Sequence, residues 1–152
     1  MKKLIVWAVL LCAIGISGAE RQVYRDASGR ITGTAERSGS RSIYRDASGR
    51  IIATGDTNSS RTTFRNSSGG IAGSASVDRN RTVYRDASGR MTGTAVTNGG
   101  RTVFRDASGR ICGTSSQNGT QTIYRDNAGR LSATANGKEI KPQPPFPLNR
   151  KK

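Results

Sequence analysis

Aromatic residues fall at Tyr24, Tyr44, Phe64, Tyr84, Phe104 and Tyr124, each 20 positions after the last. This period constrains the chain more than any single residue does, because each copy is too small to bury a core alone and must bury itself against its neighbours. Six copies fill residues 21–140. Each runs Arg, a polar residue, a residue that is most often β-branched, Tyr or Phe, then Arg-Asp-Ala-Ser-Gly-Arg, an aliphatic residue and a Thr-Gly-Thr-Ala-like stretch. Five variable, polar residues close the copy, such as Val96-Thr97-Asn98-Gly99-Gly100, and read as loops.

The centre of each copy has the chemistry of a β-hairpin. Asp86-Ala87-Ser88-Gly89 suits a type I turn closed by a glycine at positive φ. Strand-forming residues flank it, Arg81 to Arg85 before and Arg90 to Thr94 after. A three-residue loop sets Asp86 opposite Arg90, and the same pairing is expected for Asp26/Arg30, Asp46/Arg50, Asp106/Arg110 and Asp126/Arg130. In the third copy Asn66 and Gly70 replace both members together, as expected of a cross-strand ion pair worth about 0.2–1 kcal/mol. Counting outward from the turn puts Val83, Met91, Gly93 and Ala95 on one face with Arg81 and Arg85. The other face receives Tyr84, Thr92, Thr94 and the Asp86/Arg90 pair. Alternation alone leaves open which of the two is the core. The expected fold is all-β, an elongated array of six antiparallel hairpins, with a two-sided β-solenoid of one coil per repeat as the alternative.

The motif Tyr-Arg-Asp-Ala-Ser-Gly-Arg followed by an aliphatic residue and Thr resembles the YD repeat of Rhs and teneurin proteins over residues 21–135. That resemblance implies β-hairpins wound into a spiralling sheet. Arg85 stands between Tyr84 and Asp86, where that family places its Tyr directly before the Asp. Six units are also too few to enclose a toxin. The chain is similar, too, to short signal-peptide-bearing repeat proteins of enterobacteria.

Met1 to Ala19 reads as a Sec-type signal peptide: Lys2 and Lys3, an apolar run from Leu4 to Ile16, then Ser17-Gly18-Ala19. The run is short for a bilayer span, and bulky Leu11 before Cys12 argues against a lipoprotein signal. The expected mature chain starts near Glu20, is secreted, periplasmic or held at the cell surface, and carries no membrane span. Residues 20–137 form the repeat domain, and residues 138–152 a Pro-rich basic tail of extended character. Removal of two lysines takes the formal charge from +15 to +13. Cys112 becomes the only cysteine, so no intrachain disulfide is possible, and self-association through Cys112 is the remaining thiol chemistry.

The chain has no His, and five of its ten carboxylates are the turn aspartates. The others are scattered, and the mature lysines all lie in the tail. These patterns supply neither a catalytic pair, nor a metal set, nor a cofactor site, and the expectation is a non-enzymatic protein. What remains is charge. Arg21, Arg41, Arg61, Arg81 and Arg101 form one column, and Arg25, Arg45, Arg65, Arg85, Arg105 and Arg125 another, neither with an evident partner. Arg, and never Lys, is used in the repeats, which suits bidentate contact with carboxylate, sulfate or phosphate. The stems can at the same time cover apolar sheet. The expected role is adhesive or structural, binding anionic polysaccharide or a cell-surface component. The alternatives are a soluble binder of lipopolysaccharide or extracellular nucleic acid, and an accessory of an Rhs-like system.

Overall fold

The computed structural model describes residues 19–142, so the signal-peptide expectation and the distal tail lie outside the described residues. Twelve strands form in chain order. The first three hairpins are β1 (Glu20–Asp26) with β2 (Ile31–Ser38), β3 (Arg41–Asp46) with β4 (Ile51–Asn58), and β5 (Arg61–Asn66) with β6 (Ile71–Asp78). The last three are β7 (Arg81–Asp86) with β8 (Met91–Asn98), β9 (Arg101–Asp106) with β10 (Ile111–Asn118), and β11 (Gln121–Asp126) with β12 (Leu131–Gly137).

Every neighbouring pair is antiparallel, and β12 returns to pair with β1, closing the sheet into a twelve-stranded barrel. The elongated array and the one-coil solenoid are therefore both incorrect; the hairpins are present, but they are staves of a ring. The seam is no special join. Ala133, Thr134 and Ala135 face Asp26, Arg25 and Tyr24 in the register by which Gly33, Thr34 and Ala35 face Asp46, Arg45 and Tyr44. Closure satisfies the two edges that an open array would leave to solvent.

The turns form as the residue types dictate. In the fourth unit the Gly89 amide donates to the Asp86 carbonyl at 3.1 Å, the Asp86 amide donates to the Arg90 carbonyl at 2.9 Å, and Gly89 takes φ +84°. A second irregularity follows each turn. Tyr84 pairs with Gly93 and Arg85 with Met91, so Thr92 is an unpaired bulge residue, and the same slip recurs in all six hairpins. A bulge bends its strand and strengthens the local twist. Six equivalent bends supply the curvature that closes the ring.

The bulge also reverses the side-chain parity of the second strand, which corrects the face assignment. Gly93 and Ala95 lie on the inner face with Tyr84, while Val83, Arg81 and Arg85 lie on the outer face with Thr94. The aromatic ladder is thus the core: Tyr24, Tyr44, Phe64, Tyr84, Phe104 and Tyr124 are all buried, together with Ala35, Ala75, Ala95 and Ala135. One large ring on each odd strand against Gly or Ala on each even strand fills a lumen wider than that of the eight-stranded barrels whose interiors side chains just fill. Beneath the rings lies a polar layer of Gln22, Ser42, Thr62, Thr102 and Thr122.

The barrel has two unlike ends, a turn end carrying the six Asp-Ala-Ser-Gly-like turns and a loop end carrying the variable segments. The tail stops the loop end. Ile140 is fully buried in the core cluster, and its amide approaches Gln22 Oε1 at 3.5 Å. Arg37 donates to the Lys141 carbonyl at 2.9 Å and holds the segment in place. Burying one such aliphatic side chain contributes about 1.5–3 kcal/mol.

A cationic rim around the turn end as candidate functional site

Each turn is built around one side-chain oxygen. Asp26 Oδ1 accepts from the Ser28 amide at 2.9 Å, the Ser28 hydroxyl at 2.6 Å and the Arg30 amide at 3.0 Å. The Ser28 hydroxyl is the first cause, and the two amides further ones, that hold the Asp26 carboxyl below the usual carboxylate range. Asp46, Asp86 and Asp106 make the same three bonds. Asn66 does as well, through its amide oxygen, to Ser68 and Gly70. The turn needs an oxygen, not a charge, which explains why the third unit loses both charged residues without loss of the turn.

Among the described residues, the expected ion pair forms in one unit only, Asp126 with Arg130, at 3.1 Å. That unit has Ala128 where the others have Ser, so no hydroxyl approaches the carboxylate. The guanidinium takes the free Oδ2 instead. In the units of Arg30, Arg50, Arg90 and Arg110 no ion pair with the turn aspartate forms, and these arginines are exposed at the turn end.

The column that begins at Arg25 becomes a closed belt on the outer wall beside the same turns. Arg25, Arg45, Arg65, Arg85, Arg105 and Arg125 each donate from Nη1 to the carbonyl of their turn glycine, Gly29 through Gly129, at 2.9–3.1 Å. One hydrogen bond fixes each guanidinium, and Arg65 in addition pairs with Asp56 at 4.0 Å. Equivalent arginines stand two strands apart, about 10 Å around the wall.

The column beginning at Arg21 lies nearer the loop end and is engaged differently. Arg21 pairs with Glu36 at 3.7 Å, and Arg61 lies across the wall to Ser74 Oγ at 3.4 Å. Arg41, Arg81 and Arg101 are exposed. Lys138 pairs with Glu20, and Lys141 with Glu139 at 2.9 Å. The two ends therefore differ in electrostatics. Eleven arginines and five aspartates stand at the turn end, where Arg65 pairs with Asp56 and Arg130 with Asp126, against nine basic and five acidic residues toward the loop end, where three of the basic groups are ion-paired.

The turn-end mouth holds a cavity of about 310 Å³ lined by Tyr84, Phe104, Asp86, Asp106, Thr92 and Cys112, among others. The thiol of Cys112 is exposed there, and partial burial, foremost, raises its pKa. No group of three or more metal-ligating side chains occurs among the described residues. Compared with known proteins, the chain matches no family model, no curated protein and no solved structure.

Sequence reasoning found both arginine columns but missed three things. It assigned the Arg30-type residues to ion pairs, it read the tail only as an extended segment, and it gave the mouth no pocket. The departure of Ala128 from the Ser of other turns was the one visible hint to the first.

Proposed function

We propose that this protein is a non-enzymatic, secreted or cell-surface binding module that holds an anionic polymer, most simply an acidic or sulfated polysaccharide, against the turn end of its barrel. The observation that carries this reading is the belt of six guanidiniums, each held by a turn carbonyl and flanked in four units by Arg30, Arg50, Arg90 and Arg110, which make no ion pair with the turn aspartate. A guanidinium fixed through one N–H keeps its other donors for a bidentate contact and loses less side-chain entropy on binding. Repetition around a ring makes each later contact intramolecular, so weak single contacts sum to useful avidity. The outer wall is a poor lipid face, since charged arginines recur on every odd strand.

Retention on a heparin column tests the reading. Replacing Arg25, Arg45, Arg85, Arg105 and Arg125 with Gln should lower the eluting salt concentration sharply, because each lost contact removes a released counterion. The same exchange at Arg21, Arg41, Arg61, Arg81 and Arg101 should lower it less. Equal effects from the two belts would show that net charge alone governs retention.

A further inference from the structure

The lumen is not equally filled around its turn end. On one side Ile52, a bulge residue, packs against the core, and Tyr44 and Phe64 are only 1% and 2% exposed. On the other side the corresponding residues are Ala72, Thr92 and Cys112, all too small to cover the rings. Tyr84 and Phe104 keep 7% and 8% exposure, much as Tyr24 (9%) and Tyr124 (7%) do, but the cavity of about 310 Å³ is lined by Tyr84 and Phe104. That is near the lower end of the range for small-molecule sites, about 300–1,000 Å³, and suits a single ring rather than a chain.

The lining gives this space a definite chemistry. Tyr84 and Phe104 offer aromatic carbon. Asp86 and Asp106 spend Oδ1 on their turns, which leaves Oδ2 of each as an acceptor on the cavity wall. Thr92 adds a hydroxyl. Carboxylate acceptors beside an aromatic surface match a molecule with several O–H donors and a C–H face. The backbone carbonyls of Arg85 and Arg105 turn toward the inner face, while their guanidiniums, with Arg90 and Arg110 of the adjoining turns, stand on the rim outside the mouth.

We infer that the turn-end mouth between β7 and β10 is a binding site for one anionic sugar residue, its ring hydroxyls donating to Asp86 and Asp106 and its charged substituent directed to the arginine rim. The inference rests on the proposed polyanion reading and names what that rim would recognise: a uronate or sulfated residue of a polysaccharide. The ring of arginines would hold the polymer, and the pocket would read one unit of it.

The test uses two fold-preserving changes and the resident thiol. Asp86→Asn with Asp106→Asn keeps the turn oxygen, as Asn66 does, but converts the free acceptor to an N–H donor. Cys112→Ile places in the fifth unit the side chain that Ile52 supplies in the second. With D-glucuronate as probe, both variants should weaken binding at least tenfold in calorimetry, with circular dichroism and heparin retention unchanged or, for the Asn pair, retention slightly increased. The sign is informative, because removing negative charge alone would strengthen binding of an anion. Glucuronate should also slow maleimide labelling of Cys112 in the unaltered protein, and inorganic sulfate should not. Equal glucuronate affinity in all three proteins, or equal protection by sulfate, overturns the sugar site while leaving heparin retention to judge the rim. Loss of heparin retention only on removal of residues after Pro142 would instead overturn the rim itself.

Discussion

Tyr24 in the first strand lies opposite Ala135 in the last, the same relationship that Tyr44 has with Ala35 inside the sheet. The first and last repeats are therefore neighbours, and the number of repeats is set by closure. Lumen cross-section grows roughly as the square of strand number, whereas the aromatic side chains that fill it grow only in proportion. Five units should be overfilled and seven underfilled. Variants lacking residues 81–100, or carrying them twice, should both melt below the six-unit protein. An open array would instead gain stability steadily with each added repeat.

Ile140 should matter far more than its place in a tail suggests. Ile140→Ala should cost about 2–5 kcal/mol in denaturant unfolding, the usual range for truncating a buried aliphatic side chain. Cutting the chain after Gly137 should cost at least as much, while a cut after Pro142 should spare the barrel. Only the second cut is a clean control for any contribution of the distal tail to binding.

Tyr84→Ala should destabilise by about 3–5 kcal/mol, in keeping with loss of a core aromatic. Burial pushes the Tyr44 phenol up to about 12, and it raises Tyr24 and Tyr84 as well. Spectrophotometric titration should therefore show these phenols silent through pH 10 in the native protein and ionising only as the barrel opens.

The turn carboxylates fix the acid limit. Their pKa values are lowered on folding from 3.8, so the stability they contribute is complete above that value and is lost as pH falls through the lower folded values. Thermal midpoints should hold steady down to about pH 4 and then decline. Asp86→Asn should leave the neutral-pH midpoint nearly unchanged and Asp86→Ala should lower it, since only the latter removes the oxygen that organises the turn.

The hairpin was legible because its information is local: Asp-Ala-Ser-Gly specifies the turn whatever surrounds it. The faces were not, because the bulge at Thr92 depends on which residues meet across the strands, and one unpaired residue moves Gly93 and Ala95 from one side of the sheet to the other. Closure was hidden for a related reason. It follows from the accumulated bend of six bulges, to which no single copy testifies. The arginine columns were visible as sequence, but Arg30 and its equivalents looked paired because Asp86 and Arg90 sit at matching positions. Only the geometry shows the carboxylate turned inward to its own amides. Ile140 carried no signal at all, one aliphatic residue in a lysine- and proline-rich stretch.

Glu20, where β1 begins, and Pro142, the last described residue, both lie at the loop end. The described chain therefore enters and leaves the barrel at its stoppered end. A barrel tethered by one terminus to a surface would stand with its turns outward, and tethers at both termini would not change that. On the proposed reading the molecule has the polarity of a stamp: the handle at the loops, the face at the arginines. Copies anchored side by side would present their rims in one plane, where a long polymer could cross from one to the next.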